Sequence, residues 1–251
     1  MIRAMVFDLD GTLVQTEKLK ALSYARAAIE LDGSIAESAV VEAFREVVGR
    51  SRHEVARHLV ETFGLEERAA AERERFGVQQ PWQAYVQIRL GFYEEMLADE
   101  SCLLRNQWPH NVALLRYARS TCRQVGLASM SHCDQVRRVL RVLGLHEMFD
   151  FVASRDDVEH GKPDPEIYEL MTTTLGREPA ECLAIEDSVA GVRAALAAGL
   201  HCVAAATPFT GEALAEADLL PPERIVTDPD RVWQVVEHVL NEARTGRGDI
   251  T

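Results

Sequence analysis

The segment MVFDLDGT places Asp8 and Asp10 one residue apart at the end of an apolar run. Burying an unpaired carboxylate is costly, and such groups pair, protonate or bind a metal. A second acid pair, Glu186 and Asp187, closes the apolar run CLAIED. Carboxylates from two strand ends that converge on one crevice repel each other unless a cation lies among them. An all-oxygen set of this kind suits Mg²⁺, which binds through a few carboxylates together with substrate phosphate. A lone D-x-D is an ordinary strand-end turn; the second pair at another strand end makes these acids a candidate metal site.

Lys162 stands in EHGKPDPEIY. Asp164 and Pro165 predict a helix start, with an acid at the N-cap and proline at the first helical position. That accounts for those two residues but not for Lys162, which Pro163 holds just ahead of the helix. Lysine occurs only at positions 18, 20 and 162, and every other Lys/Arg cation is arginine. A fixed ammonium is a compact point charge suited to phosphate. Ser129 ends the run RQVGLAS, where a hydroxyl can reach a phosphoryl oxygen or cap a helix.

These residues need a scaffold. Ala4 to Asp8 reads as a buried strand, and Gly11 permits the turn after it. From Thr16 to Ala98 the pattern is helical: LKALSYARAAIEL, SAVVEAFREVV, RHEVARHLVETFGL and WQAYVQIRLGFYEEML repeat apolar residues every three or four positions. The stretch ERAAAERERFGVQQP is expected as a loop or a solvated helix face. After Trp108-Pro109, helices alternate with the strands RQVGLAS, FDFVAS, CLAIED and HCVAAA, the pattern of βαβ units and a parallel sheet. The last helix is RVWQVVEHVLNEA, and the tail after it is expected to fray.

The fold class expected is therefore α/β: a Rossmann-like parallel-sheet core from residues 1–15 and 99–251, interrupted by an inserted all-helical cap at 16–98. In open α/β sheets, ligands sit outside the carboxyl ends of the strands. Those ends carry Asp8-Leu9-Asp10, Ser129, Ser154 and Glu186-Asp187.

Composition narrows the partners. The chain has 251 residues, 47% hydrophobic and 27% charged, enough for a sizeable core. Its 27 Lys+Arg against 40 Asp+Glu, a formal charge of −13, disfavour nucleic acid and anionic membrane surfaces. A small anionic substrate remains compatible, because a metal and a few local cations can invert the field inside a cleft. The 5 cysteines, an odd number without C-x-x-C spacing, predict reduced thiols, no zinc site and no disulfide framework. The apolar run before Asp8 is too short for a signal peptide, so a cytoplasmic protein is expected, acting as a monomer or weak homodimer.

Taken together, DLDGT, Ser129, Lys162 in GKPDPEIY and the IEDS of Ile185–Ser188 resemble, in order, the four motifs of the haloacid dehalogenase superfamily. The helical insertion lies where it does in the branch that contains β-phosphoglucomutase and many sugar-phosphate phosphatases. The resemblance implies that Asp8 attacks phosphorus and becomes an aspartyl-phosphate. It makes Asp10 the general acid and base, and gives Ser129 and Lys162 catalytic roles. Asp8, Asp10, Asp187 and Glu186 are the implied metal ligands, with Gly11 and Thr12 of the first motif at the substrate. In the cap, Arg50 and Arg52 of GRSR are candidates for the distal part of the substrate, and the resemblance places Arg52 where mutases contact a second phosphate. His132, three residues after Ser129, is a further candidate; His53 and His58 read as ordinary cap residues.

Some positions depart from the family. Gln15 replaces a common aspartate. Lys20 stands where mutases carry a histidine on the first cap helix, and Trp108-Pro109-His110-Asn111 replaces the usual Pro-Gly stretch at the second hinge. The expected function is a Mg²⁺-dependent phosphatase of a small phosphorylated metabolite, such as a sugar or polyol phosphate. The alternatives are a phosphosugar mutase, separated by isomer formation, and a catalytically silent binding protein, which the intact Asp8, Asp10, Lys162 and Asp187 oppose.

Overall fold

The computed structural model describes residues 1–48, 51–121 and 124–245. Arg50, Cys122 and the tail at 246–251 lie outside the described residues. In chain order the elements are β1 (Ala4–Phe7), α1 (Thr16–Leu31), α2 (Glu37–Arg45), α3 (Arg52–Thr62), α4 (Glu66–Ala71), α5 (Arg73–Phe76), α6 (Pro81–Ala98), α7 (Glu100–Arg105) and α8 (Pro109–Ser120). They continue with β2 (Gln124–Ala128), α9 (Cys133–Val142), β3 (Phe151–Ala153), α10 (Glu166–Leu175), β4 (Cys182–Glu186), α11 (Val189–Ala197), β5 (His201–Ala205), α12 (Gly211–Glu216), β6 (Ile225–Val226) and α13 (Val232–Thr245).

The chain divides into two compact units, Met1–Gln15 with Leu103–Thr251, and Thr16–Cys102. The second boundary falls at Leu103 rather than at residue 99. Asp99, an extended residue between α6 and α7, accepts bonds from the Ser101 backbone N–H and hydroxyl at 2.9 and 2.7 Å and so opens α7, within which the boundary falls. No glycine or proline marks the crossing in the sequence.

In the first unit, six strands form one sheet in the order β3-β2-β1-β4-β5-β6, and each neighbouring pair runs parallel. β1 is paired on both edges, with Phe7 level with Leu127 on one side and Ile185 on the other. All four of its residues are buried, which is why the strand reads as unbroken apolar sequence rather than alternation. α10 and α11 pack together over β2, β3 and β5, while α8 and α13 pack together on β2 and β5. This register brings the residues after Phe7, Ala128 and Ile185 to one edge.

The Trp108–Asn111 segment has a structural role in that edge. The Trp108 N–H donates to the Leu13 carbonyl at 2.9 Å, and the Gln15 N–H donates to the Asn106 carbonyl at 2.7 Å. The buried Asn111 donates through Nδ2 to the Thr12 carbonyl at 2.7 Å. Pro109 opens α8, where its missing N–H costs nothing. The segment thus clamps the turn that follows Asp10.

In the second unit, α1 packs on α6 and α2, and α6 also packs on α3 and α4. Tyr24 of α1 sets its ring 5.7 Å from those of Phe44 and Tyr85, and the Tyr85 hydroxyl donates to the Tyr24 carbonyl at 2.8 Å. Ser51 and Glu54 form a reciprocal capping box on α3. The polar stretch read as a loop or solvated face folds as α4 and α5. No helix among the described residues is long and apolar enough to cross a membrane.

Replacing Asn111 by Leu keeps the volume but leaves the buried Thr12 carbonyl unpaired, so it should cost about 1–3 kcal/mol of stability by urea denaturation. A loss within error of zero would show that the clamp is not made.

Candidate active site

Asp8 is the first residue past β1, and its N–H donates to the Ile185 carbonyl at 3.0 Å. Its carboxylate is buried, with Oδ1 accepting from Lys162 Nζ at 2.7 Å and Oδ2 without a hydrogen bond. The same ammonium donates to the Ala128 carbonyl at 2.8 Å and to Glu186 Oε1 at 2.6 Å. All three of its protons are therefore placed. Asp187 lies beside Glu186, and Asp8, Glu186 and Asp187 bring oxygens within 4.8 Å of one another.

Two glycines permit this crowding. Gly11 adopts φ +91°, and a Cβ there would stand 2.0 Å from Asp187 Oδ2. A Cβ on Gly191, in the first turn of α11, would meet Glu186 Oε2 at 2.0 Å. Ser188 caps α11 by accepting from the Gly191 N–H at 3.1 Å.

Asp8 and Glu186 share the one ammonium, and the buried Asp187 adds a third carboxylate beside them. Burial pushes the Asp8 pKa up to about 8; Lys162 works against the rise, while Glu186 and Asp10 add to it. Burial opposes the Lys162 charge as well, but Asp8 and Glu186 outweigh it and hold its pKa above the ordinary lysine value. The Tyr168 hydroxyl donates to Glu186 Oε1 at 2.5 Å; burial, then Glu186 and Asp8, keep that phenol protonated. Glu186 is thus engaged by two protein donors on Oε1. The charge deficit, the bare Asp8 Oδ2 and the all-oxygen donor set fit a divalent cation such as Mg²⁺, with Asp8 and Asp187 as the residues that would hold it.

Asp10 is placed differently. Its Oδ2 accepts from the hydroxyls of Ser129 at 2.9 Å and Ser131 at 2.7 Å. Its side chain is outside the acid cluster that joins Asp8, Glu186 and Asp187. Ser129 does not cap a helix: it is fully buried and also accepts from the Ser131 N–H at 3.0 Å. Thr12 is fully buried with Oγ1 unbonded. Ser131, Tyr168, Asn111 and Gly191 are site residues that sequence reasoning missed. The S-x-S spacing in ASMSH is the one signal that could have marked Ser131.

Other candidates lie elsewhere. His132 does not join the cluster: its side chain is 70% exposed and Nδ1 pairs with Asp156 Oδ1 at 2.7 Å, because Asp156 also accepts from the Cys133 N–H and draws the ring to the surface. In the cap, Lys20 pairs with Glu17 at 2.7 Å. Arg52 is the exposed first residue of α3. His53 sets its ring 4.5 Å from that of Trp82, tilted by 48°, and His58 faces Glu46 at 3.5 Å. The cysteines at 102, 133, 182 and 202 are free thiols. Asp164 accepts from the Glu166 N–H at 3.0 Å, as a capping acid does, though the regular helix begins one residue later than expected.

Residues 2–199 match the haloacid dehalogenase-like hydrolase family. The chain belongs to this family. Among curated relatives, the Hexitol phosphatase B of Escherichia coli K12 is 29% identical over 211 residues, covering 82% of this chain and 85% of that one. The Phosphorylated carbohydrates phosphatase of Thermotoga maritima is 27% identical over 241 residues, covering 95% and 100%. A HAD family hydrolase of Deinococcus radiodurans R1, solved with bound phosphate and sodium, shares the fold with a TM-score of 0.71 at 23% identity over 96% of each chain.

The hydrolase's acid cluster makes two outcomes checkable. Gly11→Ala should weaken Mg²⁺ binding by about ten- to a hundredfold in calorimetry, the range for disturbing the groups that orient a ligand; unchanged affinity would place the metal away from Asp187. The second concerns pH. The folded pKa of Asp8 is raised from 3.8 to about 8, so between those values the folded chain holds a proton that the unfolded chain has released. Stability of the metal-free protein from this group therefore falls as pH rises through that window. Mg²⁺ needs the charged carboxylate, so the gap in Tm between Mg²⁺ and EDTA should widen from about pH 5 to about pH 8. A gap that narrows would contradict the cluster's role.

Proposed function

We propose that this hydrolase cleaves the phosphoric monoester of a small phosphorylated carbohydrate, a sugar or polyol phosphate, through an aspartyl-phosphate on Asp8 and with Mg²⁺ as its cofactor. The observation that carries this reading is the split within Asp8: Lys162 holds Oδ1, while Oδ2 has no partner. A carboxylate fixed by one oxygen presents the other in a set direction, which is what a nucleophile requires. The names of the relatives support the substrate class.

Asp8 Oδ2 attacks phosphorus as the ester P–O bond breaks, and Asp10 delivers the proton that the leaving alkoxide needs. Asp10 then takes a proton from water as that water attacks phosphorus. The acyl-phosphate P–O bond breaks, and Asp8 and inorganic phosphate are released. The hydroxyls of Ser129 and Ser131 hold Asp10 in one orientation for both transfers. Lys162 keeps Asp8 in place and lowers the cost of its charge, while Glu186 and Tyr168 fix Lys162. Bound Mg²⁺ supplies charge neutralisation at the buried acids and the phosphoryl oxygens. We assign Glu186 to anchoring the lysine, with Asp187 as the metal ligand of that pair. Lys20, at the mutase histidine position, is an ammonium that only donates and is already paired with Glu17, which favours hydrolysis over isomerisation.

The test is inorganic phosphate release from hexose and hexitol phosphates with and without Mg²⁺. Asp8→Asn should lower kcat by at least about a thousandfold with the fold intact, and Asp10→Asn by about a hundred- to ten-thousandfold. Appreciable turnover by deamidation-free Asp8→Asn would overturn the nucleophile. Conversion of β-glucose 1-phosphate to glucose 6-phosphate, with a trace of the 1,6-bisphosphate, faster than phosphate release would overturn the hydrolase reading.

A further inference from the structure

Lys162 is held at both of its ends by one short segment. Its Nζ donates to the Ala128 carbonyl at 2.8 Å, and its backbone N–H donates to Met130 Sδ at 3.2 Å. The residues on either side of Met130, Ser129 and Ser131, hold the Asp10 carboxylate through their hydroxyls. Residues 128–131 therefore place both the lysine that steadies Asp8 and the acid that carries protons. Three of the four touch Asp10 or the ammonium directly, whereas Met130 reaches the lysine through its backbone.

The loop that carries Lys162 is tied elsewhere by oxygen acceptors. Arg155 donates to the Val158 carbonyl at 2.6 Å and to the Glu159 carbonyl at 3.2 Å. Glu166 accepts from the Glu159 and His160 N–H groups, both at 2.7 Å. The Asp164 N–H donates to the Gly161 carbonyl at 3.1 Å, and Pro163 has no N–H to give. Among these donors, the Lys162 N–H is the one that goes to sulfur, a weak acceptor. Methionine in a core is ordinarily an adaptable filler, and Met130 does pack against the buried cluster that includes Ile167, Tyr168 and Met171. The neighbouring glycine points to a further duty. A Cβ on Gly161 would stand 3.3 Å from Met130 Cε and 3.4 Å from Sδ. Gly161 is not among the glycines at positive φ, so the backbone itself does not demand glycine there. The missing side chain gives the thioether room to lie along the Lys162 peptide.

We infer that Met130 is a positioning residue: its thioether sulfur fixes the backbone of Lys162 and, through it, the place of the ammonium at Asp8. Its effect on rate rests on the hydrolase reading above; the contact itself lies wholly within the core unit. A part-buried N–H that loses its acceptor turns toward another partner, because leaving it unpaired is costly. The ammonium would then move with its backbone. It spans two carboxylates and a carbonyl at 2.6 to 2.8 Å, which leaves little room for drift. Misplacing a reacting group by about 1 Å can cost about a hundredfold in rate.

Two substitutions separate the acceptor from the packing. Met130→Leu keeps an apolar side chain of similar volume but puts a methyl group where the sulfur stood. Met130→Asn loses volume but sets Oδ1 the same number of bonds from Cα as Sδ. In full-length protein with Mg²⁺ and a hexose phosphate, Met130→Leu should lower kcat about tenfold or more with a smaller change in KM. Met130→Asn should keep kcat within about threefold of the wild type. A packing role gives the reverse order, since leucine fills the space and asparagine does not. Wild-type kcat in Met130→Leu, or a loss in Met130→Asn as large as in Met130→Leu, would overturn the inference. The contact is read separately, in EDTA and without substrate, from hydrogen exchange at the Lys162 amide. Exchange should be about tenfold or more faster in Met130→Leu and close to wild type in Met130→Asn. Equal protection in Met130→Leu and the wild type would overturn the contact. So would exchange at this amide in the wild type at the rate of an unstructured peptide, whether or not either variant folds. If the wild type releases phosphate from no ester, the hydrolase reading fails and the Lys162 amide alone decides the inference.

Discussion

One ammonium organises the core unit. Lys162 Nζ reaches Asp8, Glu186 and the Ala128 carbonyl at once, from a side chain only 4% exposed. Desolvating a lysine and two carboxylates costs several kcal/mol each, which Coulomb attraction repays only with close geometry and satisfied hydrogen bonds. Here the distances are short and all three ammonium protons are placed, so the attraction wins for the lysine. It does not win for Asp8, where burial, Glu186 and Asp10 outweigh the lysine. The remaining imbalance is why the site fits a divalent cation and why Asp8, without one, is held toward its protonated form.

The scaffold exists to make that crowding possible. A parallel sheet with β1 at its centre sets three strand ends side by side, and the register places Asp8 level with Ala128 on one side and Glu186 on the other. Side chains that meet there have little room, so two neighbouring positions have no side chain at all. Gly11 and Gly191 stand where a methyl group would overlap the Asp187 and Glu186 carboxylates. The turn bearing Gly11 is clamped from the far end of the insertion by Trp108 and Asn111.

Much of this was legible in the sequence, for a physical reason. Acids at the ends of apolar runs are expensive unless used, so Asp8, Asp10, Glu186 and Asp187 announced themselves, and a lysine in an arginine-using chain did likewise. The roles inside the cluster were harder. Whether Glu186 faces a metal or Lys162 depends on side-chain direction, which periodicity does not carry. Ser131 and Tyr168 looked like a loop serine and a helix aromatic, and only the fold brings them to Asp10 and Glu186. His132 was drawn to the surface by Asp156, a partner 24 residues on. The boundary expected after residue 98 falls four residues later, inside α7, where no glycine or proline announces it.

The most direct test of Asp8 as a nucleophile held by Lys162 is peptide mapping by mass spectrometry of enzyme acid-quenched during turnover of a hexose phosphate. Wild-type protein, and more strongly the Asp10→Asn variant, should carry a phosphoryl group on the peptide that contains Asp8, and Lys162→Met should not. A phosphoryl group on the peptide carrying Ser129 and Ser131, or phosphate release in the first turnover with no labelled peptide, would contradict the mechanism.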